Sequence, residues 1–388
     1  MRSITRRAFL QGTALTVSAG VWPGLASPLS ALAAPAGAQP TPTAGEAATI
    51  AEIVTQTMRQ HQAPALSLAI ARHGQWVYRQ AFGLADKSVG EPATPASLFR
   101  IASVSKPITS VAIFLLLEQR RLGLHDLVFG DGGLLQFDYV DAGGRYPDRV
   151  RKITLHHLLT HTCGGWENDG DDPMFRNPKM DHRELITWAL RTQPLKFDPG
   201  AHYAYSNFGY CILGRVIEKV TGEAYAAHVK RGVLAKCGIR GMDVAGNTLA
   251  DRAPGEVVYY GQKGSGTNPC DMNVRRMDSH GGWLATPGDL VQFAMHVDGF
   301  KTTPGILGAE CLKTMTTAST ANANYACGWC VNRIPNWWHT GSLPGTLSIL
   351  VRTASGLCWA AVTNTRSEGL NLDEMMWQVA KAVPAWRA

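Results

Sequence analysis

The chain has 388 residues, 45% apolar and 17% charged, the balance of a core-forming globular protein built as one large unit or two intimate subdomains. Its formal net charge is +7, but residues 1–34 hold three arginines and no acid, so the remainder carries 34 − 30 = +4. No Lys/Arg-rich run follows, which argues against a nucleic-acid-binding surface.

The N-terminus reads Thr5-Arg6-Arg7-Ala8-Phe9-Leu10, a twin-arginine pattern, with a mild apolar stretch from Ala8 to Val21 and the small residues Ala31-Leu32-Ala33 as a cleavage site. Residues 1–34 are therefore expected to be a twin-arginine signal peptide. Gly12, Gly20, Pro23 and Gly24 break the stretch, so no stable membrane span is expected after its removal. Such leaders carry folded proteins, which makes the periplasm the expected location. Residues 35–45, rich in Ala, Pro, Gly and Thr, read as a linker, and 46–388 as the folded domain.

Glu46 to Gln60 places Ile50, Ile53, Val54 and Met58 at helical spacing. Leu66 to Ala71 and Trp76 to Arg79, joined by His73-Gly74, predict a β-hairpin, with Phe82 to Asp86 leaving its second strand. A helix is expected from near Ser103 to about Arg120. Hydroxyl residues mark its start, Pro107 suits a first turn, and Val111 to Leu117 is apolar on every side, as in a helix surrounded by protein. Residues 121–325 read as a largely helical insertion. Its helices are expected at Thr154-capped 155–159, at Glu184 to Arg191, at Gly209 to Val220 closed by Gly222, and from Thr286 to about Val297. Strands return at Gly328 to Arg333, Trp337 to Gly341, Leu347 to Arg352 and Leu357 to Thr363, before a last helix from Leu372 to Ala382. Strands at both ends around a helical middle predict an α+β fold, with an antiparallel sheet made from both chain ends and flanked by helices. The eight cysteines are expected to be buried free thiols. Cys327 and Cys330, three apart on a strand-like stretch, face opposite sides, which disfavours a shared metal or a redox pair.

Three motifs carry chemistry. Ser103 and Lys106 share one face of the first turn of the buried helix, so a hydroxyl, an amine and the positive end of a helix dipole meet, as an activated nucleophile requires. Tyr205-Ser206-Asn207 sits in a turn after Pro199-Gly200; a phenol near Lys106 would either be held as phenolate or relay a proton. His339-Thr340-Gly341 lies on a predicted strand, where Gly341 would let a substrate approach the backbone. His280-Gly281-Gly282 reads as a packing turn. His157 and His161, four apart near Cys163, lack the glutamate of a zinc-protease helix and read as a structural turn. Asp169, Asp171 and Asp172 miss the EF-hand spacing and read as a solvated loop. No Gly-x-Ser-x-Gly elbow, phosphate loop or dinucleotide loop is present, and neither cofactor nor metal is expected.

At these motifs the sequence resembles the serine β-lactamase-like and penicillin-binding-protein-like hydrolases, most of all the branch holding class C β-lactamases, family VIII esterases and D-aminopeptidases. Residues 153–164 are similar to that branch's "ITxxHLLTHTSG" stretch. Phe197-Asp198-Pro199-Gly200 leading to Tyr205-Ser206-Asn207, then Leu213-Gly214 and Thr221-Gly222, follow its next block, and Gly281 to Leu290 resembles another. Together these blocks span about 46–385 in order. The resemblance implies a β-lactamase/transpeptidase-like fold in which Ser103 is acylated, Lys106 and Tyr205 are a coupled proton-transfer pair either of which is its base, and Asn207 donates a hydrogen bond to substrate. It implies an oxyanion hole from the backbone N–H groups of Ser103 and Ser342, each donor typically worth about 3–4 kcal/mol of barrier.

One departure matters. Position 339 is His, where penicillin-recognising enzymes usually have Lys, and an imidazole with an ordinary pKa near 6.5 attracts a substrate carboxylate less. Either this tilts the activity towards small esters and amides, or His339 only completes a hydrogen-bond network. Trp337, on the same strand face, either lines the acyl pocket or is core. The expected function is a serine hydrolase acting on small esters or amides through an acyl-enzyme on Ser103, within a family whose small-molecule partners are ester, amide or β-lactam substrates. The rivals are a β-lactamase, a D-Ala-D-Ala carboxypeptidase or D-aminopeptidase, and, from another class, a penicillin-binding sensor or scaffold without turnover.

Overall fold

The structure is a computed structural model that describes residues 38–140, 144–261 and 268–386. The segment read as a signal peptide, residues 1–34, lies outside the described residues. Of the expected linker, Thr43 already caps the first helix through a capping box, and Ala44 and Gly45 belong to that helix.

In chain order the elements are α1 (Ala44–Gln60), β1 (Ala65–Arg72), β2 (Gln75–Asp86), β3 (Glu91–Pro92), β4 (Phe99–Arg100), a 3₁₀ turn (Ala102–Val104) and α2 (Ser105–Glu118). The middle follows with α3 (Asp148–Arg151), α4 (Leu155–Leu159), α5 (His182–Thr192), α6 (Asn207–Thr221), α7 (Tyr225–Val229), β5 (Asp243–Val244), β6 (Trp283–Ala285), α8 (Pro287–Asp298) and α9 (Ala309–Thr316). The chain ends with β7 (Cys330–Val331), β8 (Trp337–Leu343), β9 (Thr346–Arg352), β10 (Leu357–Thr363) and α10 (Leu372–Lys381).

Seven strands form one sheet in the order β3-β2-β1-β10-β9-β8-β7, so strands from the two chain ends meet at its centre. β1 and β10 pair antiparallel from Leu66↔Thr363 to Arg72↔Leu357. Both are almost continuously buried because both sheet faces are covered. Leu66, Leu68, Ile70, Leu357, Trp359 and Ala361 pack beneath α1 and α10. Ala65, Ala69, Ala71, Cys358, Ala360 and Val362 face the larger core that contains α2, α6 and α8. The helix opening at Thr286, α8, thus packs on β1 and β10 although it belongs in sequence to the helical middle.

Two expectations need correction. Phe82 to Asp86 does not leave the strand; β2 continues through it, and Leu84 and Asp86 pair with β3. The strand expected from Gly328 is shorter, β7 spanning only Cys330–Val331, because Gly328 takes a left-handed turn at φ +81°. All eight cysteines lie among the described residues and none is in a disulfide; Cys270, Cys311 and Cys330 are half-buried rather than core.

Candidate active site

Ser103 lies on the 3₁₀ turn that feeds α2, so the long helix begins two residues later than expected. It is the only residue from Phe99 to Leu116 that is not buried. Its N–H lies at the start of the helical run, where no intrahelical acceptor exists. Ala102, just before it, has φ +47°, a left-handed conformation that costs a β-carbon-bearing residue about 1–3 kcal/mol. Neighbouring elements hold the turn there. Ser348 Oγ donates to Ile101 O (2.6 Å), Thr346 Oγ1 donates to Arg100 O (2.8 Å), and Ile101 N–H donates to Trp283 O (3.0 Å).

Lys106, one helical turn on, is fully buried. Its Nζ is 3.1 Å from Ser103 Oγ, 2.7 Å from Asn207 Oδ1 and 2.9 Å from the carbonyl of His280. Burial brings its pKa down to about 7, with the Asp172 charge opposing in part. The geometry then decides what the neutral amine does. Asn207 Oδ1 and His280 O can only accept, so they take both amine hydrogens. The lone pair is left facing Ser103 Oγ, the position a general base must occupy.

Asn207, expected as a donor to substrate, has its amide engaged within the protein in this structure. Its amide donates to Asp172 Oδ2 (2.7 Å) and Asn168 Oδ1 (3.0 Å), so both hydrogens are spent inside the protein, and it holds Lys106 instead. Asp172 is likewise buried rather than solvated. Burial pushes its pKa up to about 6, against hydrogen bonds from Asn207 and the Met174 N–H. Its loop is clamped by Arg276, also buried, whose guanidinium donates to the carbonyls of Met174 (2.9 Å), Arg176 (3.2 Å), Asn177 (2.8 Å) and Met180 (2.6 Å).

The Tyr205 phenol lies near the Ser103 side chain, which holds its pKa down in part. Lys106 Nζ lies 4.8 Å from the centre of its ring. Burial raises the phenol well above its ordinary pKa, and the neighbouring Ser103 side chain opposes this only in part. Of the two roles open to it, the structure favours a neutral proton relay over a phenolate.

β8 passes beside the nucleophile turn. Gly341 does not serve substrate approach as expected: a Cβ there would stand 2.2 Å from Ile101 O, so its hydrogen is what lets the strand meet the turn. The two-residue loop joining Leu343 to Thr346 makes Ser342↔Leu347 a non-hydrogen-bonded pair. The Ser342 N–H therefore faces the other edge of β8, which β7 covers only at Trp337 and Trp338. Trp337 is on the buried face with His339 and Gly341, as alternation requires. It nevertheless packs on Trp329 (ring centres 4.6 Å apart), lies under the Arg352 guanidinium, and lines a separate cavity of about 330 Å³. Trp337 is therefore core.

His339 is buried and neutral, its pKa lowered to about 3 by burial and then by the Lys106 charge. Nδ1 bonds the Thr340 carbonyl (2.7 Å) and Nε2 meets Tyr325 Oη (3.1 Å). Both ring nitrogens are therefore engaged within the protein, which fits a hydrogen-bond network and leaves neither nitrogen free to meet a substrate carboxylate. Tyr325 Oη also meets His161 Nε2 (3.0 Å), whose Nδ1 accepts from the Ser206 N–H (3.0 Å). Sequence reasoning missed Tyr325 altogether, set His161 and His280 aside as turns, and placed Asp172 in solvent. The twelve-residue similarity containing His161 was the one available signal.

The chain is similar to several known proteins. The chain is 34% identical over 204 residues to Esterase EstB of Burkholderia gladioli, covering 50% of each chain. It is 32% identical over 208 residues to Penicillin-binding protein 4* of Bacillus subtilis (strain 168), covering 52% of this chain and 42% of that one. The matched stretch thus spans about half the length of these two relatives. In three dimensions it superimposes on the D-amino acid amidase of Ochrobactrum anthropi SV3 bound to L-phenylalanine amide with a TM-score of 0.72 at 21% identity, covering 88% of this chain and 99% of that one, a likeness of fold. The Beta-lactamase family model matches residues 50–383, from within α1 to just past α10. Sheet, nucleophile turn and third-motif strand all fall inside that match, and the chain belongs to the beta-lactamase family.

Proposed function

We propose that the protein is a serine hydrolase that acylates Ser103 and passes the acyl group to water, acting on small uncharged esters or amides. The observation that carries this reading is the buried Lys106 amine, whose hydrogens are taken by Asn207 and His280 so that its lone pair faces Ser103. In acylation Lys106 accepts the Ser103 proton as Oγ bonds to the substrate carbonyl carbon. The backbone N–H groups of Ser103 and Ser342 stabilise the oxyanion. The carbon–leaving-group bond then breaks; Tyr205 protonates the leaving group and is reprotonated from Lys106. Water repeats the sequence on the acyl-enzyme and restores Ser103. A buried neutral imidazole at position 339, with both nitrogens engaged, supports a preference for substrates without a carboxylate.

Mass spectrometry after a fluorophosphonate probe should find the adduct on Ser103, and Ser103→Ala should abolish hydrolysis of p-nitrophenyl butyrate; full activity in that variant would end the proposal. Multiple turnover distinguishes the enzyme from a protein that acylates and stalls. The twin-arginine leader supports a periplasmic destination, which replacing Arg6 and Arg7 by Lys should block in a cell-fractionation assay.

A further inference from the structure

Five polar groups behind the nucleophile, joined by four hydrogen bonds, form a chain in which each proton has one place to be. The Ser206 N–H can only donate, so His161 Nδ1 accepts and its Nε2 carries the hydrogen. That hydrogen points at Tyr325 Oη. At the far end the Thr340 carbonyl can only accept, so His339 Nδ1 carries the hydrogen and Nε2 is a bare acceptor. The phenol between them receives from one imidazole and donates to the other. Tyr210 is also within hydrogen-bonding reach of Tyr325, but it gives its own proton to Leu159 O (2.8 Å), and its oxygen is a weaker acceptor than an imidazole nitrogen.

We propose that Tyr325 is a specificity-determining residue: by filling His339 Nε2 with its own proton it stops the third-motif imidazole from offering a charge or an N–H to substrate, and so restricts the cleft to uncharged acyl groups. This rests on the hydrolase reading above and extends it to a residue outside the three motifs. Tyr325 acts through His339 and is a positioning residue. The groups facing His339 are Tyr325 from the segment before β7, Tyr205 from the turn before α6, His161 after α4 and Lys106 on α2, with Cys330 of β7 beside the tyrosines. Among these only Lys106 supplies a positive charge, and it opposes a second one. Removing the phenol proton leaves Nε2 buried and unfilled, and the imidazole then gains affinity for a proton.

The test pairs two readouts on Tyr325→Phe and the native enzyme. One is the ratio of kcat/KM for a p-nitrophenyl hemiglutarate, which bears a carboxylate, to that for p-nitrophenyl butyrate, measured from pH 5 to 8. The other is the nitrogen NMR of His339 in histidine-labelled protein, assigned with His339→Gln. Native enzyme should show a flat ratio and an Nδ1–H tautomer throughout. In Tyr325→Phe the ratio should rise as the pH falls, by up to about tenfold per unit until His339 is fully charged, with imidazolium visible over the same pH range. A flat ratio with a neutral His339 in the folded variant overturns the proposal. So does an Nε2–H tautomer or imidazolium in the native enzyme, which decides the matter even where the variant fails to fold. Absence of all ester hydrolysis would sink the hydrolase reading while the NMR still reports on Tyr325 and His339.

Discussion

Replacing Gly341 by Ala tests whether close contact between β8 and the nucleophile turn is what assembles the site. The new Cβ would stand 2.2 Å from Ile101 O, 2.3 Å from Ser348 Oγ and 3.1 Å from Ala102 Cβ. Ile101 O is backbone and already accepts from Ser348 Oγ, so it cannot turn away. Strand and turn must part by about 1 Å to restore ordinary contact, and overpacking of this kind costs about 1–3 kcal/mol of stability. The same parting draws the Ser342 N–H away from the oxyanion position. An ångström of misplacement, or one lost oxyanion donor, lowers kcat about 100-fold or more. Steady-state hydrolysis of p-nitrophenyl butyrate should therefore show kcat down about 100-fold with KM changed by less than about threefold, since the loss falls on the transition state. Adding Ser348→Ala removes the hydroxyl but leaves the Ile101 carbonyl, so the double variant should stay slow. A Gly341→Ala enzyme with native kcat and native melting temperature would refute the reasoning.

Further expectations follow from the same geometry. Lys106 works as a base only when neutral, and burial brings its pKa to about 7; kcat/KM for a neutral ester should fall about tenfold per unit below pH 7 and level off above it. A pH profile from 5 to 11 checks this, and a limb centred near 10 would show that burial does not lower the amine's pKa and would overturn the neutral-base argument. The Asp172 charge favours the ammonium form, so Asp172→Asn should move that limb to lower pH; an upward move would contradict the assignment. Arg276→Met strips four backbone carbonyls of their donor and should cost about 3 kcal/mol or more in urea unfolding, with protease cleavage appearing at 174–180 and activity falling as Asp172 loses its seat.

The fold was legible wherever a strand or helix carried its own pattern. β1 and β10 are apolar runs bounded by turns, and α4, α6 and α8 announce themselves through Thr154, Gly222 and Thr286. The Ser103–Lys106 pair was legible because three-residue spacing on a helix fixes a shared face. Asp172 was not, since an aspartate in a Gly/Asp-rich loop looks solvated until Arg276, about a hundred positions away, closes the loop over it. Tyr325 has no motif at all; its role comes from two histidines on separate segments. Alternation placed Trp337 on the correct face of β8, but a period of two says nothing about whether that face is core or cleft.

The central strands have a consequence for synthesis. The amide of Ala65, at the start of β1, donates to Asn364, 299 positions later. A ribosome making this protein therefore releases β1 long before the strand that completes the sheet exists, and only β2 is available early to pair with it. A product cut short before β10 lacks half of the sheet's middle and much of the surface on which α8 rests. Premature termination near the end should yield an aggregating polypeptide rather than a smaller enzyme.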